Sequence, residues 1–152
     1  MNLDTQVISL YLSKENKTRI KTNSIIVDTN GVIEDKFYAK DKYRNILITS
    51  LKSYEIAKNN GIDINYGQLG ENILVNLDLS NIREEDIIQI GNIKLIITQN
   101  CTICKSLSSI DTKLPKLLSK DRGIFAKAIS NGKICIGDKV IYHKTNKSNK
   151  RI

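Results

Sequence analysis

The sequence predicts a mainly β, single-domain fold: a closed or nearly closed β-barrel with one or two inserted helices. Three observations lead there. Short runs rich in Ile, Val, Leu and Tyr recur along the chain, Gly, Asn or Asp separate most of them, and only two stretches break the strand-like rhythm. Such residues suit a pleated, half-buried surface, and strands in series without strand–helix–strand alternation argue against a parallel sheet.

Val7 to Leu12 and Ser24 to Asp28 open the series. Asn30-Gly31 then reads as a hairpin signal, because both central residues of a tight turn need positive φ, which Asn and Gly tolerate. Ile46 to Thr49 is the next strand, and SLKSYEIAKNNG, Ser50 to Gly61, follows it as a helix. Ser50 can cap the first turn, Leu51, Tyr54, Ile56 and Ala57 fall near one face, and Gly61 can end the helix in a left-handed conformation. Asp86 to Ile90 and Ile93 to Thr98 are strands joined at Gly91-Asn92, and a shorter helix surrounds Pro115 between Lys113 and Ser119. Gly123 to Ser130, Lys133 to Ile136 and Lys139 to His143 complete the strands, with Asn131-Gly132 as a second hairpin signal. Residues 1–143 are read as the domain and 144–152, KTNKSNKRI, as a basic, disordered tail.

The 152 residues suit one domain, which at this size removes roughly 68–70% of its unfolded surface from water. No apolar run approaches the ~20 residues that span a bilayer, and nothing at the start resembles a signal peptide. Three cysteines, an odd number, fit a reducing compartment, so a cytoplasmic protein with no membrane partner is expected. The net charge of +8 suits an anionic partner. Nucleic acid is disfavoured, because the basic residues are not interleaved with aromatics, and a small anionic ligand fits the charge as well.

Reactive side chains are few: three Cys, one His and no Trp. Cys101 and Cys104 form a close pair after the strand that ends near Thr98, and Cys101 is the first candidate for chemistry. A sulfur carrier needs an accessible thiolate in an electropositive setting. Lys105 adjoins Cys104, and Lys36, Arg44 and Arg122 can approach from other strand ends. Other readings compete. Cys101, Cys104, Cys135 and His143 could total four zinc ligands, although Cys135 sits between Ile134 and Ile136 in a strand and reads as structural, and His143 reads as a surface residue. A thioredoxin-like pair needs a βαβ setting, and two small buried hydrophobes are the plainest alternative. Gly70-Glu71-Asn72 could bring the Asn72 amide to a ligand, or could be an ordinary turn in which Asn72 bonds nearby backbone.

Four blocks in order carry a resemblance: Gly70-Glu71-Asn72, the hairpin IQIGNIKLIIT, Cys101 in TQNCTIC, and RGIFAKAISNGKICIGDKV from Arg122. Together they resemble the molybdenum-cofactor sulfurase C-terminal (MOSC) domain family, and the chain is similar to its small stand-alone members. The resemblance implies a β-barrel-like domain whose cysteine, here Cys101, carries sulfur as a persulfide or ligates the metal of a molybdenum cofactor, with Cys104 as a resolving or supporting thiol. It implies further that Lys36, Arg44, Asn72 and Arg122 help bind the anionic pterin (molybdopterin), the planar fork of Arg122 suiting its phosphate. A cysteine desulfurase or a molybdenum-cofactor protein is the implied partner, since one domain leaves no room for a pyridoxal-phosphate unit. The alternative is a non-catalytic accessory module that recognises molybdenum-cofactor enzymes or biosynthetic proteins. The chain departs from the family's Gly-Asp-Arg-His type run at GVIEDKFY: Asp35 and Lys36 keep their places, Glu34 replaces a small Gly, and Phe37 or Tyr38 stands at the His position.

Overall fold

The computed structural model describes residues 4–16, 19–101 and 105–145. Its strands are β1 (Val7–Ser13), β2 (Arg19–Thr22), β3 (Ser24–Asp28), β4 (Gly31–Val32), β5 (Ile46–Ser50), β6 (Ile73–Val75), β7 (Ile87–Ile90), β8 (Ile93–Asn100), β9 (Ile124–Ala128), β10 (Gly132–Cys135) and β11 (Val140–His143). Three helices, α1 (Leu51–Asn59), α2 (Lys105–Ile110) and α3 (Leu114–Leu117), are inserted among them. The protein is thus mainly β, one domain with a few helices, none of which is long and apolar enough to cross a membrane. Residues 146–152 of the expected tail lie outside the described residues.

The strands form two sheets rather than one ring. Eight run in the order β11-β7-β8-β9-β5-β6-β1-β2, and β10-β3-β4 form a separate three-stranded sheet. No sheet among the described residues closes into a barrel, which corrects the expectation of a closed or nearly closed one. The reason lies in the pairing: β3, β4 and β10 bond to one another and lay Ile25, Val27, Val32 and Ile134 across a common core from Ile46, Ile88 and Leu95 of the larger sheet. A single backbone bridge, Gln6 to Lys139, ties the lead-in of β1 to that of β11, flanked by Val7 N–H to Asp138 O at 3.0 Å.

A strand–helix–strand unit is present after all. β5 runs into α1, and β6 returns parallel to β5, pairing Ile48 with Ile73 and Ser50 with Val75. Ser50 caps the helix, its Oγ accepting from Lys52 N–H at 3.2 Å. β6 is buried on both faces. Ile73 and Val75 enter the main core, while Leu74 joins a second cluster with Tyr54 and Ala57 of α1, Leu107 of α2 and Leu114 of α3. At three residues and covered on both sides, β6 shows neither alternation nor a long apolar run, which is why the sequence pattern passed over it.

The turn signals had mixed outcomes. Gly91-Asn92 joins β7 to β8, with Ile90 facing Ile93 and Gly91 at φ 58. At the first signal the turn is one residue earlier than expected: Asp28 faces Gly31, so Thr29 and Asn30 make the loop, and Asp28 Oδ1 accepts from Asn30 N–H at 2.8 Å. Asn131-Gly132 makes no hairpin, because β9 pairs with β5 and β8 whereas β10 crosses to β3.

Candidate functional site

A cavity of about 540 Å³ opens where the end of β1, the start of β2, the loop between β4 and β5, the loop before β6 and the start of β9 meet. Cys101, Lys36, Arg44, Asn72 and Arg122 all border it, so five of the six residues singled out from the sequence come together there. The sixth, Cys104, lies outside the described residues, as do the side chains of Lys105 and Ser106. Ser13, Arg19, Asp41 and Asn45 also border the cavity and were not anticipated.

Cys101 is placed by a break in the sheet. The pairing of β8 with β9 shifts register between Ile97 and Gln99, and Thr98 Oγ1 donates to Tyr43 O at 2.5 Å, joining this irregular strand end to the loop before β5. Such bulges re-aim a strand next to functional sites. Cys101 N–H then bonds Gly123 O at 3.0 Å. Gly123 has φ +110, and a Cβ on it would lie 2.7 Å from Ile48 O. Only glycine allows that approach, and it sets half-buried Cys101 beside the segment carrying Arg122.

The opposite wall hangs on Asp35. This buried carboxylate accepts from Ser13 N–H at 2.6 Å, Phe37 N–H at 3.1 Å and Asn72 Nδ2 at 3.2 Å, fixing the end of β1, the loop with Lys36 and the segment before β6. Asn72 is a second brace. Its Oδ1 accepts from Leu47 N–H at 3.0 Å and its Nδ2 also donates to Tyr11 O at 3.3 Å. The Asn72 amide therefore holds β1, β5 and Asp35, partners distant in the chain rather than the nearby backbone of an ordinary turn. Glu71, fully buried, accepts from Tyr54 OH at 2.6 Å and Gly67 N–H at 3.1 Å. Burial, then the Glu71 charge, pushes the Tyr54 hydroxyl well above its ordinary value and keeps it a donor. Glu34, where the family pattern has glycine, adopts φ 76, a conformation that favours glycine.

Among the described residues four cations, Arg19, Lys36, Arg44 and Arg122, face one carboxylate, Asp41, around the cavity. Arg19 donates to Ser13 Oγ and Glu71 O and lies 5.5 Å from the Tyr11 ring centre, while its buried Nε has no partner among the described residues. Arg122 Nη2 donates to Pro115 O at 2.7 Å, and Asp121 pairs with Lys52 at 3.7 Å. Arg44 rests over Phe125 at 5.0 Å and Lys36 over Phe37 at 5.0 Å. The aromatic faces orient these cations without neutralising them. The resulting positive field suits an anion.

The pieces of the zinc reading are apart. Cys135 is on β10, His143 is exposed at the end of β11, and no three metal-binding side chains cluster among the described residues. A helix does follow the cysteine pair, but the next strand, β9, returns antiparallel to β8, unlike a thioredoxin-type unit.

A family model described as the MOSC domain matches residues 35–141. The fold is similar to that of the YuaD protein from Bacillus subtilis, at TM-score 0.82 and 18% identity over 95% of this chain and 98% of that one. It is also similar to YiiM from Geobacillus stearothermophilus, at TM-score 0.69 and 16% identity over 92% of this chain and 75% of that one, and to YiiM from Escherichia coli, at 0.68 and 17% over 95% and 71%. At these identities the structural likeness speaks for the fold alone. No curated protein matches the sequence.

Proposed function

Because the chain belongs to the MOSC domain family, we propose that it handles sulfur transfer or a molybdenum cofactor through Cys101. One observation carries this reading: the Cys101 thiol and four cations border a single cavity. As a sulfur carrier, the Cys101 thiolate attacks the outer sulfur of a donor persulfide, forming a new S–S bond as the donor's S–S bond breaks and its thiolate leaves. The balance needs no external oxidant. A cysteine desulfurase carrying a persulfide is the matching donor class.

The same cavity fits a pterin cofactor. Its volume lies in the range of small-molecule sites, its cations can hold a phosphate, and Cys101 is the residue that would ligate a metal. When bound, the molybdenum cofactor would supply the redox chemistry that no side chain here supplies. The chain's own part is to hold the anion with Arg44, Lys36, Arg19 and Arg122 and to keep the Asp35 and Asn72 braces in place.

Arg44→Ala is the informative variant, because Arg44 rests on the Phe125 ring, whereas Arg19 and Arg122 also brace the backbone. Titration calorimetry with a pterin phosphate monoester should give an affinity lowered by about tenfold or more, the worth of one charge-assisted contact. An unchanged affinity would remove Arg44 from the site.

A further inference from the structure

We infer that Asn45 recognises a neutral donor–acceptor edge of the ligand, an N–H beside a C=O on a ring, while the neighbouring cations hold the ligand's anionic group. This rests on the anion-site reading above and names the ligand class that site takes.

Asn45 is only 2% exposed, yet neither its Oδ1 nor its Nδ2 has a hydrogen-bond partner among the described residues, and it borders the cavity. Burying both ends of a carboxamide unpaired is costly, and native structures seldom tolerate it. Two other buried polar side chains by the cavity, Asn72 and Asp35, do not share this deficit. Asn72 makes three side-chain hydrogen bonds, and the Asp35 carboxylate accepts three. Asn45 differs in having both polar atoms of its side chain unpaired among the described residues.

Gly31 accounts for where that amide sits. A Cβ on Gly31 would lie 3.0 Å from Asn45 Cβ and 3.4 Å from its Cγ, and Gly31 has φ +126. The bare backbone of β4 thus seats the Asn45 side chain from one side, and the residue meets the cavity on another. Arg44, its neighbour in sequence, borders the same cavity.

A carboxamide donates through Nδ2 and accepts through Oδ1, so its complement presents one acceptor and one donor side by side. The pyrimidinone edge of a pterin does this. A bare oxyanion such as sulfate or molybdate offers acceptors alone and would leave Oδ1 unpaired, and inorganic phosphate lacks the flat ring edge that sets a donor beside an acceptor. The site then selects an anion that carries such a ring over the inorganic anion, since analogues that leave a buried polar group unpaired are strongly rejected.

The test compares wild type with Asn45→Leu, a change of similar size that removes both polar atoms, using calorimetric titration with neopterin monophosphate and separately with inorganic phosphate, and the Tm of each protein without ligand. Neopterin monophosphate should bind wild type more tightly than phosphate does. In the variant its affinity should fall about tenfold or more, the phosphate affinity should stay within about twofold, and the ligand-free Tm should not fall, because the unpaired amide is gone. Should Asn45→Leu fail to fold, Asn45→Ala gives the same comparison. A lowered ligand-free Tm with both probes weakened alike would make Asn45 a structural residue and overturn the inference, as would an unchanged neopterin monophosphate affinity. If wild type binds both probes equally, the role of Asn45 falls while the anion site stands; if it binds neither, the anion site itself falls and the inference with it.

Discussion

Asp35 holds the cavity wall together with hydrogen bonds to Ser13, Phe37 and Asn72. Asp35→Ala would leave Ser13 N–H and Phe37 N–H without this acceptor and Asn72 Nδ2 with Tyr11 O alone, and urea denaturation should find the variant roughly 2–3 kcal/mol less stable than wild type; a loss below about 0.5 kcal/mol would mean that these bonds do not organise the loop. Legibility at this scale followed chemistry rather than packing. Cys101 stood out because thiols are scarce in the chain, and Lys36, Arg44 and Arg122 because they flank strand ends in the family's order of motifs. Asn72 was picked from its tripeptide, but the use of its amide as a brace depends on Tyr11, Leu47 and Asp35, which the sequence places far away. Arg19 lies in KTRIK, which reads as solvated charge, and a lone Asn45 before a strand reads as a turn residue. Their burial is set by tertiary contacts to Glu71 O and Gly31 that no local pattern encodes.

Elements long enough to carry an apolar run or a cap were readable, fully buried β5 among them, and the shortest strands were not. α1 had its Ser50 cap and apolar face, and β7 with β8 had a glycine turn. β2 is a short, mostly polar edge strand, β4 is two residues long, and β6 is buried on both faces, so none presents a period of two. One carboxylate braces the backbone ladder between β7 and β11. Asp86 accepts from Arg83 N–H, Tyr142 OH and Thr145 N–H at 2.8 to 2.9 Å. Burial alone would raise its pKa, but these donors together outweigh burial and hold it below the ordinary value, while burial and then Asp86 push Tyr142 up to about 12. A depressed carboxylate pKa adds stability that is complete above the unfolded value of about 4 and is lost as pH falls through the folded value. Asp86→Asn should therefore be less stable than wild type at neutral pH by about 1–2 kcal/mol, with the gap narrowing below about pH 4 in parallel urea titrations. A gap independent of pH would show that the Asp86 charge is not what secures the junction.

On the scale of the molecule, two sheets enclose one core, and the cavity lies at one end of the larger sheet, where loops from both sheets converge. The mainly β character was legible because it depends on composition and turn residues. The open arrangement was not, because it turns on whether β3 and β10 pair with each other or with the larger sheet, a long-range choice that local alternation does not express. The net charge of +8 says little by itself; what bears on function is that, among the described residues, four cations face one carboxylate around the same cavity as Cys101. The most direct measurement is intact mass spectrometry after incubation with a cysteine desulfurase and cysteine, comparing wild type, Cys101→Ala and Cys104→Ala. An adduct of one sulfur atom is expected on wild type and Cys104→Ala and none on Cys101→Ala. An adduct that survives Cys101→Ala, or no adduct on any variant together with no copurified pterin in the native spectrum, would contradict a role for Cys101 in sulfur or cofactor handling and leave an accessory binding module.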